Sequence, residues 1–431
     1  MNKSLIVKNT RIIDPASSKD MLGNVLIEDG LFVDMAEGQL PGSPEHADII
    51  DAEGLVMAPG LIDLRVFSGE PGHEYRETLA SASDAAGAGG VTSFVRMPDT
   101  LPVTDDGALV DYILRRAEIT SKVRVLPAAA MTKGLEGMDI TEYGLLGEAG
   151  AVCLTDGRKS VQSAALLRTA FTYAANFSLP IVHHVQDYAL TGKGVMNAGL
   201  YATALGLAGI PTEAETIPLE RDLQLARLTD TRYHAAQISC GRSVNIMARH
   251  RHENDLVSCG ASINHLTLNE NDIGSYRTFF KLSPPLRAEE DRQAMIDGLK
   301  SGAIDVIHSD HDPQDAEVKR HPFAEAADGA VGLETMLAAA LRLYHSSQVD
   351  LITLLRAMTQ RPAEILGLET GRIARGRAAD FILIDLDYPW VVEEQGLRSR
   401  SGNTPFENAK FSGKVMRTFV DGREIFRHCE A

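Results

Sequence analysis

Residues 61–67 read Leu61-Ile62-Asp63-Leu64-Arg65-Val66-Phe67, an apolar run that follows Pro59-Gly60. A short apolar run bounded by turn residues is typical of a buried strand. Residues 74–86 have helical composition, Gly89-Gly90 interrupts the pattern, and residues 91–97 form a second apolar run. This order of strand, helix and strand is typical of an α/β fold with a parallel sheet.

The same alternation continues along the middle of the chain. Helical patterns and strand patterns follow one another in residues 162–176 and 179–184, 219–229 and 233–238, and 289–301 and 303–309. The rhythm predicts a (β/α)8 barrel of the TIM type. An open doubly wound sheet is the alternative, but no Gly-x-Gly-x-x-Gly follows the first strand.

Both ends of the chain carry short alternating runs that are typical of strands. These runs cover residues 4–8, 11–13, 25–28, 31–35, 381–384, 415–420 and 424–426. Asp29-Gly30 and Asp421-Gly422 are turn signals between neighbouring runs. We therefore predict a small β-sandwich domain made from residues 1–57 and 369–431, with the barrel in residues 58–368 inserted between them.

Composition excludes several classes of function. The chain has 431 residues and a net charge of −17, which argues against nucleic acid or an anionic membrane as partner. Its first apolar run, Leu5-Ile6-Val7, is too short for a secretory signal. The four cysteines show no CxxC spacing. These features predict a cytoplasmic protein with reduced thiols, and we expect it to form a homo-oligomer.

Polar residues gather where the predicted barrel strands end, which is where barrel enzymes carry their chemistry. They are Asp99, Thr155-Asp156, His183-His184, Gln237 and the run from Ser309 to Asp312. Each one alone is better explained as a loop or cap residue. Five such strand ends together favour an active-site face, or what remains of one.

A metal site could draw on few of these residues. His183 and His184 point to opposite faces of their strand, so only one can face the barrel mouth. That leaves about one histidine with Asp156 and Asp310, whereas a catalytic zinc site is usually nitrogen-rich. Such a trio could bind a hard divalent ion weakly. We expect no cofactor, with zinc or another divalent ion as the alternative.

Several longer motifs match a known family. The chain resembles dihydroorotases, in the cyclic amidohydrolase branch of the amidohydrolase superfamily, over nearly its whole length. The segments that carry the resemblance are Ala58-Pro59-Gly60-Leu61-Ile62-Asp63-Leu64, Glu70-Pro71-Gly72-His73-Glu74-Tyr75-Arg76-Glu77-Thr78, Met97-Pro98-Asp99-Thr100, Gly194-Val195-Met196-Asn197, Gly209-Ile210-Pro211-Thr212-Glu213-Ala214-Glu215, Pro284-Pro285-Leu286-Arg287, Val331-Gly332-Leu333-Glu334-Thr335 and Asn403-Thr404-Pro405-Phe406-Glu407.

The resemblance implies the barrel with its small β-domain, a place in pyrimidine biosynthesis, and ring closure of carbamoyl aspartate to dihydroorotate. It implies metal ions that activate a water, and an aspartate, here Asp310, that acts as general base and acid. The family's metal-ligand positions that survive are His184, Asp310 and Asp156.

Most of the family's other site positions have changed. The metal-binding histidines of the first strand are replaced by Arg65 and Phe67, and a later one by Gln237. Gly69 occupies the position of the family's substrate-binding arginine. The positions that would line the substrate pocket are now Arg65, Asp99, Ser283 and Gln314. We expect Arg65 to supply a cation in place of the metal and to pair with Asp310 or Asp156.

These changes predict no dihydroorotase activity of consequence. The resemblance then implies a non-catalytic dihydroorotase-like subunit that assists aspartate carbamoyltransferase as a structural or regulatory partner. The alternative is an active hydrolase of cyclic amides that uses a single metal on the residual ligands, or no metal and Arg65.

A weaker alternative recruits spare histidines, His73, His183 and His311, as ligands. We interpret these as solvent-facing loop or strand residues. Cys240 has no clear base partner and is interpreted as a small loop thiol.

Overall fold

The computed structural model describes residues 4–38, 40 and 46–429. Within these residues the strands are β1 (Ser4–Asp14), β2 (Lys19–Glu28), β3 (Leu31–Ala36), β4 (Asp48–Asp51), β5 (Val56–Pro59), β6 (Leu61–Val66), β7 (Val91–Arg96), β8 (Arg124–Ala129), β9 (Cys153–Leu154), β10 (Ile181–His183), β11 (Met196–Asn197), β12 (Gly209–Ile210), β13 (Tyr233–Ala235), β14 (Val257–Ser262), β15 (Val306–His308), β16 (Phe381–Val391), β17 (Lys410–Val420) and β18 (Arg423–Arg427).

The α-helices of the same residues are α1 (Leu79–Ala88), α2 (Gly107–Thr120), α3 (Tyr143–Glu148), α4 (Ala164–Ala174), α5 (Tyr188–Thr191), α6 (Leu200–Leu205), α7 (Glu213–Thr229), α8 (Gly241–Arg251), α9 (Ile263–Thr267), α10 (Glu289–Ser301), α11 (Ala316–Lys319), α12 (Met336–His345), α13 (Leu351–Met358) and α14 (Gln360–Leu366). Short 3-10 helices cover Lys133–Leu135, Ala175–Phe177, Glu270–Ile273, Thr278–Phe280 and Glu394–Gly396.

Eight parallel strands form the barrel and confirm the predicted fold class. Their order is β6, β7, β8, β9, β10, β13, β14 and β15. The ring closes between the first and last of them, where Val66 forms a parallel bridge with His311 and the Phe67 amide donates to the His311 carbonyl at 2.8 Å. Closure therefore places the ends of β6 and β15 side by side.

Two helices of the barrel show how well the sequence predicted helix limits. Helix α10 has the predicted bounds, 289–301. Helix α1 begins at Leu79 rather than at residue 74, because Thr78 and Ser81 form a reciprocal capping box. The prediction that residues 74–78 are helical is therefore wrong, and these residues form a loop instead.

The strands of both chain ends join in one sheet, in the order β18, β17, β16, β5, β1, β2, β3, with β4 beside β1. Strand β1 is continuous across a register shift between Val7 and Thr10, where the sequence predicted two strands. Alternate side chains of β16 face two different hydrophobic cores. Phe381 and Leu383 pack in a core of the terminal sheet, whereas Ile382 and Ile384 pack against the barrel.

The predicted domain limits at residues 57/58 and 368/369 stay a prediction. Residues 1–3 of the first segment and 430–431 of the last lie outside the described residues, as do 39 and 41–45. In the part of the chain that is described, no helix is both long and apolar enough to cross a membrane.

Candidate functional site

The ends of β6 and β15 bring two charged residues together at the barrel mouth. Asp63 on β6 accepts hydrogen bonds from the Arg65 amide at 3.0 Å and the Ser309 amide at 3.1 Å. These bonds fix the backbone on both sides of the closure. Asp310 follows Ser309 with a φ of 52°, a left-handed conformation that aspartate tolerates better than most residues.

Arg65 and Asp310 form a buried ion pair. The Arg65 Nε atom lies 2.8 Å from Asp310 Oδ1, and the side chains are only 5% and 8% exposed. Arg65 Nη1 also lies 3.4 Å from the Gly157 carbonyl, whereas Nη2 has no partner among the described residues. Of the two carboxylates that the sequence analysis offered as partners for Arg65, the structure therefore pairs it with Asp310.

The pair keeps Asp310 ionised. Burial by itself raises the pKa of Asp310, but the cation of Arg65, followed by His308 and Arg158, outweighs burial and lowers that pKa to about 2. A carboxylate held in this way already has its counter-charge. It is therefore a poor proton acceptor at neutral pH.

The other two expected metal ligands have different surroundings. Both oxygens of Asp156 are bound by Thr132, at 2.9 Å from its amide and 2.6 Å from its hydroxyl. His184 is buried, and its Nδ1 has no hydrogen-bond partner in the described part of the chain. Burial, followed by the charge of Arg65, lowers its pKa to about 3. Across the described residues no group of three or more His, Cys, Asp or Glu could hold a metal ion, so His184, Asp156 and Asp310 do not form a ligand set in this arrangement.

The two other changed ligand positions also contribute no suitable metal donor. Phe67 is buried, and the Arg76 guanidinium lies over its ring at 3.9 Å. Gln237 Nε2 lies 3.3 Å from His265 Nδ1, while its buried Oε1 meets no hydrogen-bond donor from the residues that the structure describes. The residues present therefore do not fit a catalytic metal: arginine and phenylalanine offer no lone pair, and an amide oxygen is a weak ligand.

Beside this pair lies a second ionic cluster that the sequence interpretation missed. Asp312 receives Arg76 Nη2 at 2.7 Å and Gln314 Nε2 at 2.9 Å, and it also pairs with Arg158. Arg158 directly follows Asp156-Gly157, and this position next to a strand end was the only sequence signal for it. The mouth thus contains three arginines near Asp310 and Asp312.

Two of the predicted substrate-pocket residues adjoin Gly157: Arg65 Nη1 lies 3.4 Å from its carbonyl oxygen, and a Cβ added at Gly157 would lie 3.1 Å from the Asp99 carboxyl group. Asp99 is half-buried, and its Oδ1 has no hydrogen-bond partner among the described residues. Ser283 is half-buried, and Gln314 is held by Asp312 and by Asn403. At Gly69 an added Cβ would lie 2.0 Å from the His73 carbonyl oxygen. No side chain fits position 69 without a change in this loop.

The spare histidines have structural partners. His183 Nδ1 lies 2.6 Å from Asp222 Oδ2, and its Nε2 accepts from the Val161 amide at 2.9 Å. His311 lies between Glu77 Oε2 at 3.3 Å and the Gly332 amide at 3.2 Å. The interpretation of these two residues as solvent-facing is wrong, because both are fully buried. His73 is partly exposed in the loop before α1.

Retained motifs meet in a buried network beside the mouth. Arg287 donates to Ser239 Oγ at 3.0 Å, Asn197 Oδ1 at 3.0 Å and the Ile210 carbonyl at 2.9 Å, and it lies 3.5 Å from Glu215. Cys240 contacts Glu215 at 3.6 Å, and burial raises its pKa to about 12, as expected of an unreactive thiol. These motif residues hold loops together.

Comparisons with known proteins agree with this architecture. Residues 54–243 match a family model described as dihydro-orotase-like. Proteins named dihydroorotase from Pelobacter propionicus and Anaeromyxobacter sp. are each 39% identical to this chain, over 98% and 100% of it and over 100% of their own length. One from a Wolbachia of Drosophila simulans is 40% identical over 97% of this chain and 94% of its own.

Solved structures of the same shape are more distant in sequence. An L-hydantoinase (dihydropyrimidinase) from Arthrobacter aurescens superposes with a TM-score of 0.89 at 24% identity, covering 100% of this chain and 97% of that one. A dihydropyrimidinase from Brevibacillus agri gives a TM-score of 0.84 at 19% identity, over 99% and 95% of the two chains. At this identity the likeness concerns the fold alone.

Proposed function

Because the chain belongs to the dihydroorotase-like family, we propose that it keeps the family's fold without its metal-dependent ring chemistry. The observation that carries this proposal is the buried Arg65–Asp310 pair at 2.8 Å. A fixed cation stands where the family needs metal ligands, and it neutralises the aspartate that should move the proton. The single residue Arg65 would then affect both the metal site and the general base.

The substrate side supports the same proposal. Dihydroorotate carries a carboxylate, which needs cationic donors. Position 69 has no room for an arginine in this loop, and Arg76 and Arg158 are already paired with Asp312. Losing one charge-assisted contact costs about 2 kcal/mol, roughly thirtyfold in affinity.

We further propose that the protein acts as a structural or regulatory partner of aspartate carbamoyltransferase. This part rests on the resemblance to non-catalytic dihydroorotase-like subunits. It is supported by hydrogen bonds that order the loops. Asn403 accepts the Gln314 amide at 3.1 Å and donates to the Gly329 carbonyl at 3.0 Å. A scaffold needs such order in its loops, while it needs no metal.

A second candidate is an active amidohydrolase that acts on dihydroorotate or another cyclic amide. The relatives favour it, because proteins 38–40% identical over nearly the whole chain are named dihydroorotase. It would require His184, Asp156 and Asp310 to rearrange around a single metal. Both Arg65 and Thr132 would have to release their carboxylates.

One experiment separates the candidates. Metal content of the purified protein is measured together with turnover of dihydroorotate, carbamoyl aspartate and a panel of cyclic amides and ureides, with and without added aspartate carbamoyltransferase. The proposal expects less than one metal ion per chain and no turnover of any of these compounds. It also expects aspartate carbamoyltransferase to co-purify with the protein. Turnover that Asp310→Asn abolishes would overturn it in favour of the second candidate, and failure of the transferase to bind would remove the scaffold role.

A further inference from the structure

A cavity of about 350 Å3 lies away from the barrel mouth, where α12 meets the last strands of the terminal sheet. Its walls come from the start of α12, the end of β16, strand β17 and the end of β18. Small-molecule sites in proteins have volumes of roughly 300–1,000 Å3. None of the residues discussed at the barrel mouth lines this cavity.

One part of the wall is apolar. Leu337 and Ala338 contribute from α12, Val415 from β17 and Phe426 from β18. Leu337, Ala338 and Val415 are buried, and Phe426 is half-buried. This part would accept an aliphatic or aromatic group of a ligand.

A carboxyl group in the wall has one free oxygen. Glu334 Oε1 accepts the amides of Arg398 at 2.7 Å and Ser399 at 3.3 Å, while Oε2 makes no hydrogen bond with the described residues. No cation is paired with Glu334 in the described chain, and burial raises its pKa to about 7. A donor group of a ligand would satisfy Oε2.

A cation in the wall forms no ion pair with the described residues, although the charge of Glu334 acts on it from a distance. The Lys414 ammonium lies 4.6 Å from the centre of the Trp390 ring and 5.7 Å from that of Tyr388. It makes no hydrogen bond or ion pair with the described residues, and it does not bond to Glu334. Burial lowers its pKa, so an anion beside it would be stabilising.

We propose that this cavity binds a small zwitterion with an apolar body, of the class of aliphatic and aromatic α-amino acids. The ligand's ammonium group binds Glu334 Oε2, its carboxylate binds Lys414, and its side chain packs on Leu337, Val415 and Phe426. A ligand with a single charge would leave the opposite group of the wall desolvated and unpaired, which is unfavourable. The site is independent of the barrel chemistry.

The test is calorimetric titration of the full-length protein with L-phenylalanine and L-leucine. The same titration with N-acetyl-L-phenylalanine removes the ammonium, and with L-phenylalanine amide removes the carboxylate. We expect saturable binding of the two amino acids, weakened at least about tenfold in each derivative. No binding at millimolar concentration, or equal binding of the derivatives, overturns the proposal.

Two variants locate the site. Glu334→Gln keeps an acceptor for the two backbone amides but removes the charge, and Lys414→Met removes the cation while keeping the stem. Both should abolish binding, whereas Lys410→Met, exposed on the same strand, should leave it unchanged. If Glu334→Gln fails to fold, Lys414→Met and the ligand derivatives decide. Binding that survives in Lys414→Met contradicts the assignment.

Discussion

Arg65 and Asp310 are nearly excluded from solvent, so each depends on the other for its charge. Arg65→Met is therefore expected to leave a buried carboxylate without a partner. Breaking a buried pair from one side costs about 3–5 kcal/mol. Denaturant unfolding at pH 7 should show a loss of this size.

The pH dependence of that loss has a definite sign. In the wild type the pKa of Asp310 is lowered to about 2 from its ordinary value of 3.8, so its stabilisation is present above about pH 4 and disappears as the pH falls toward 2. The gap between the wild type and Arg65→Met should therefore narrow from pH 7 to pH 3. Arg65→Met/Asp310→Asn, which removes both charges, should recover most of the loss. Equal losses in the single and double variants would show that the pair is not coupled.

What could be predicted at this scale depended on strand geometry. The family resemblance placed Arg65 at a ligand position of the first barrel strand, and Asp310 follows another barrel strand, so both were expected at the same mouth. Arg158 and Arg76 lie on loops, and their joint contact with Asp312 depends on loop conformations that no periodicity encodes. The sequence therefore indicated the charged residues Arg65 and Asp310 at the mouth but not the ionic cluster beside them.

Helix α1 shows how one cap sets the limits of an element. Thr78 accepts the Ser81 amide at 3.1 Å and donates its own amide to Ser81 Oγ at 3.0 Å. Thr78→Ala should destabilise the protein by about 1 kcal/mol, since one helical amide loses its acceptor. The measurement is the midpoint and slope of urea unfolding.

A matched control for this cap is Thr169→Ala, an exposed threonine inside α4. Away from a cap this change should be nearly neutral. A Thr78→Ala variant as stable as Thr169→Ala would mean that the capping box does not determine where α1 begins.

Element types were more predictable than element limits. The strand runs of both termini were identified because one face of each is apolar, and β16 shows the reason: its alternate residues serve two different cores. Their extent was underpredicted, since β16 continues to Val391 and β17 begins at Lys410, beyond the alternating runs. Polar residues in these extensions pair through backbone atoms, which the hydrophobic pattern does not reveal.

Across the whole molecule, the family positions that survive are chiefly those that connect distant segments. Arg287 connects three loops, and Asn403 connects two more. By the family resemblance, the positions that have changed are those that would serve a metal or a substrate. The proposed function therefore predicts a chain that matches its relatives along its length but differs from them at the barrel mouth.

Residues 398–400 are held between the cavity and the barrel mouth. Glu334 accepts the amides of Arg398 and Ser399, whereas Glu77 accepts the Ser399 hydroxyl and the Arg400 amide at 3.3 Å. Glu77 also bonds His311, the neighbour of Asp310. A continuous set of hydrogen bonds thus runs from the cavity wall to His311, which directly follows Asp310 of the ion pair.

Glu77→Gln tests how firmly this segment is attached. Burial raises the pKa of Glu77, but the hydrogen bond and charge of His311 outweigh burial and lower that pKa, so the wild-type group is an anion. It accepts from four donors, which are His311, the hydroxyls of Ser81 and Ser399, and the Arg400 amide. An amide has one acceptor oxygen and should lose at least one of those bonds. Hydrogen exchange should therefore accelerate in residues 398–403 while α10 stays protected, and Glu118→Gln, exposed on α2, should change neither. Unchanged protection of residues 398–403 in Glu77→Gln would mean that the segment is held without Glu77, and the mouth and the cavity would then be mechanically separate.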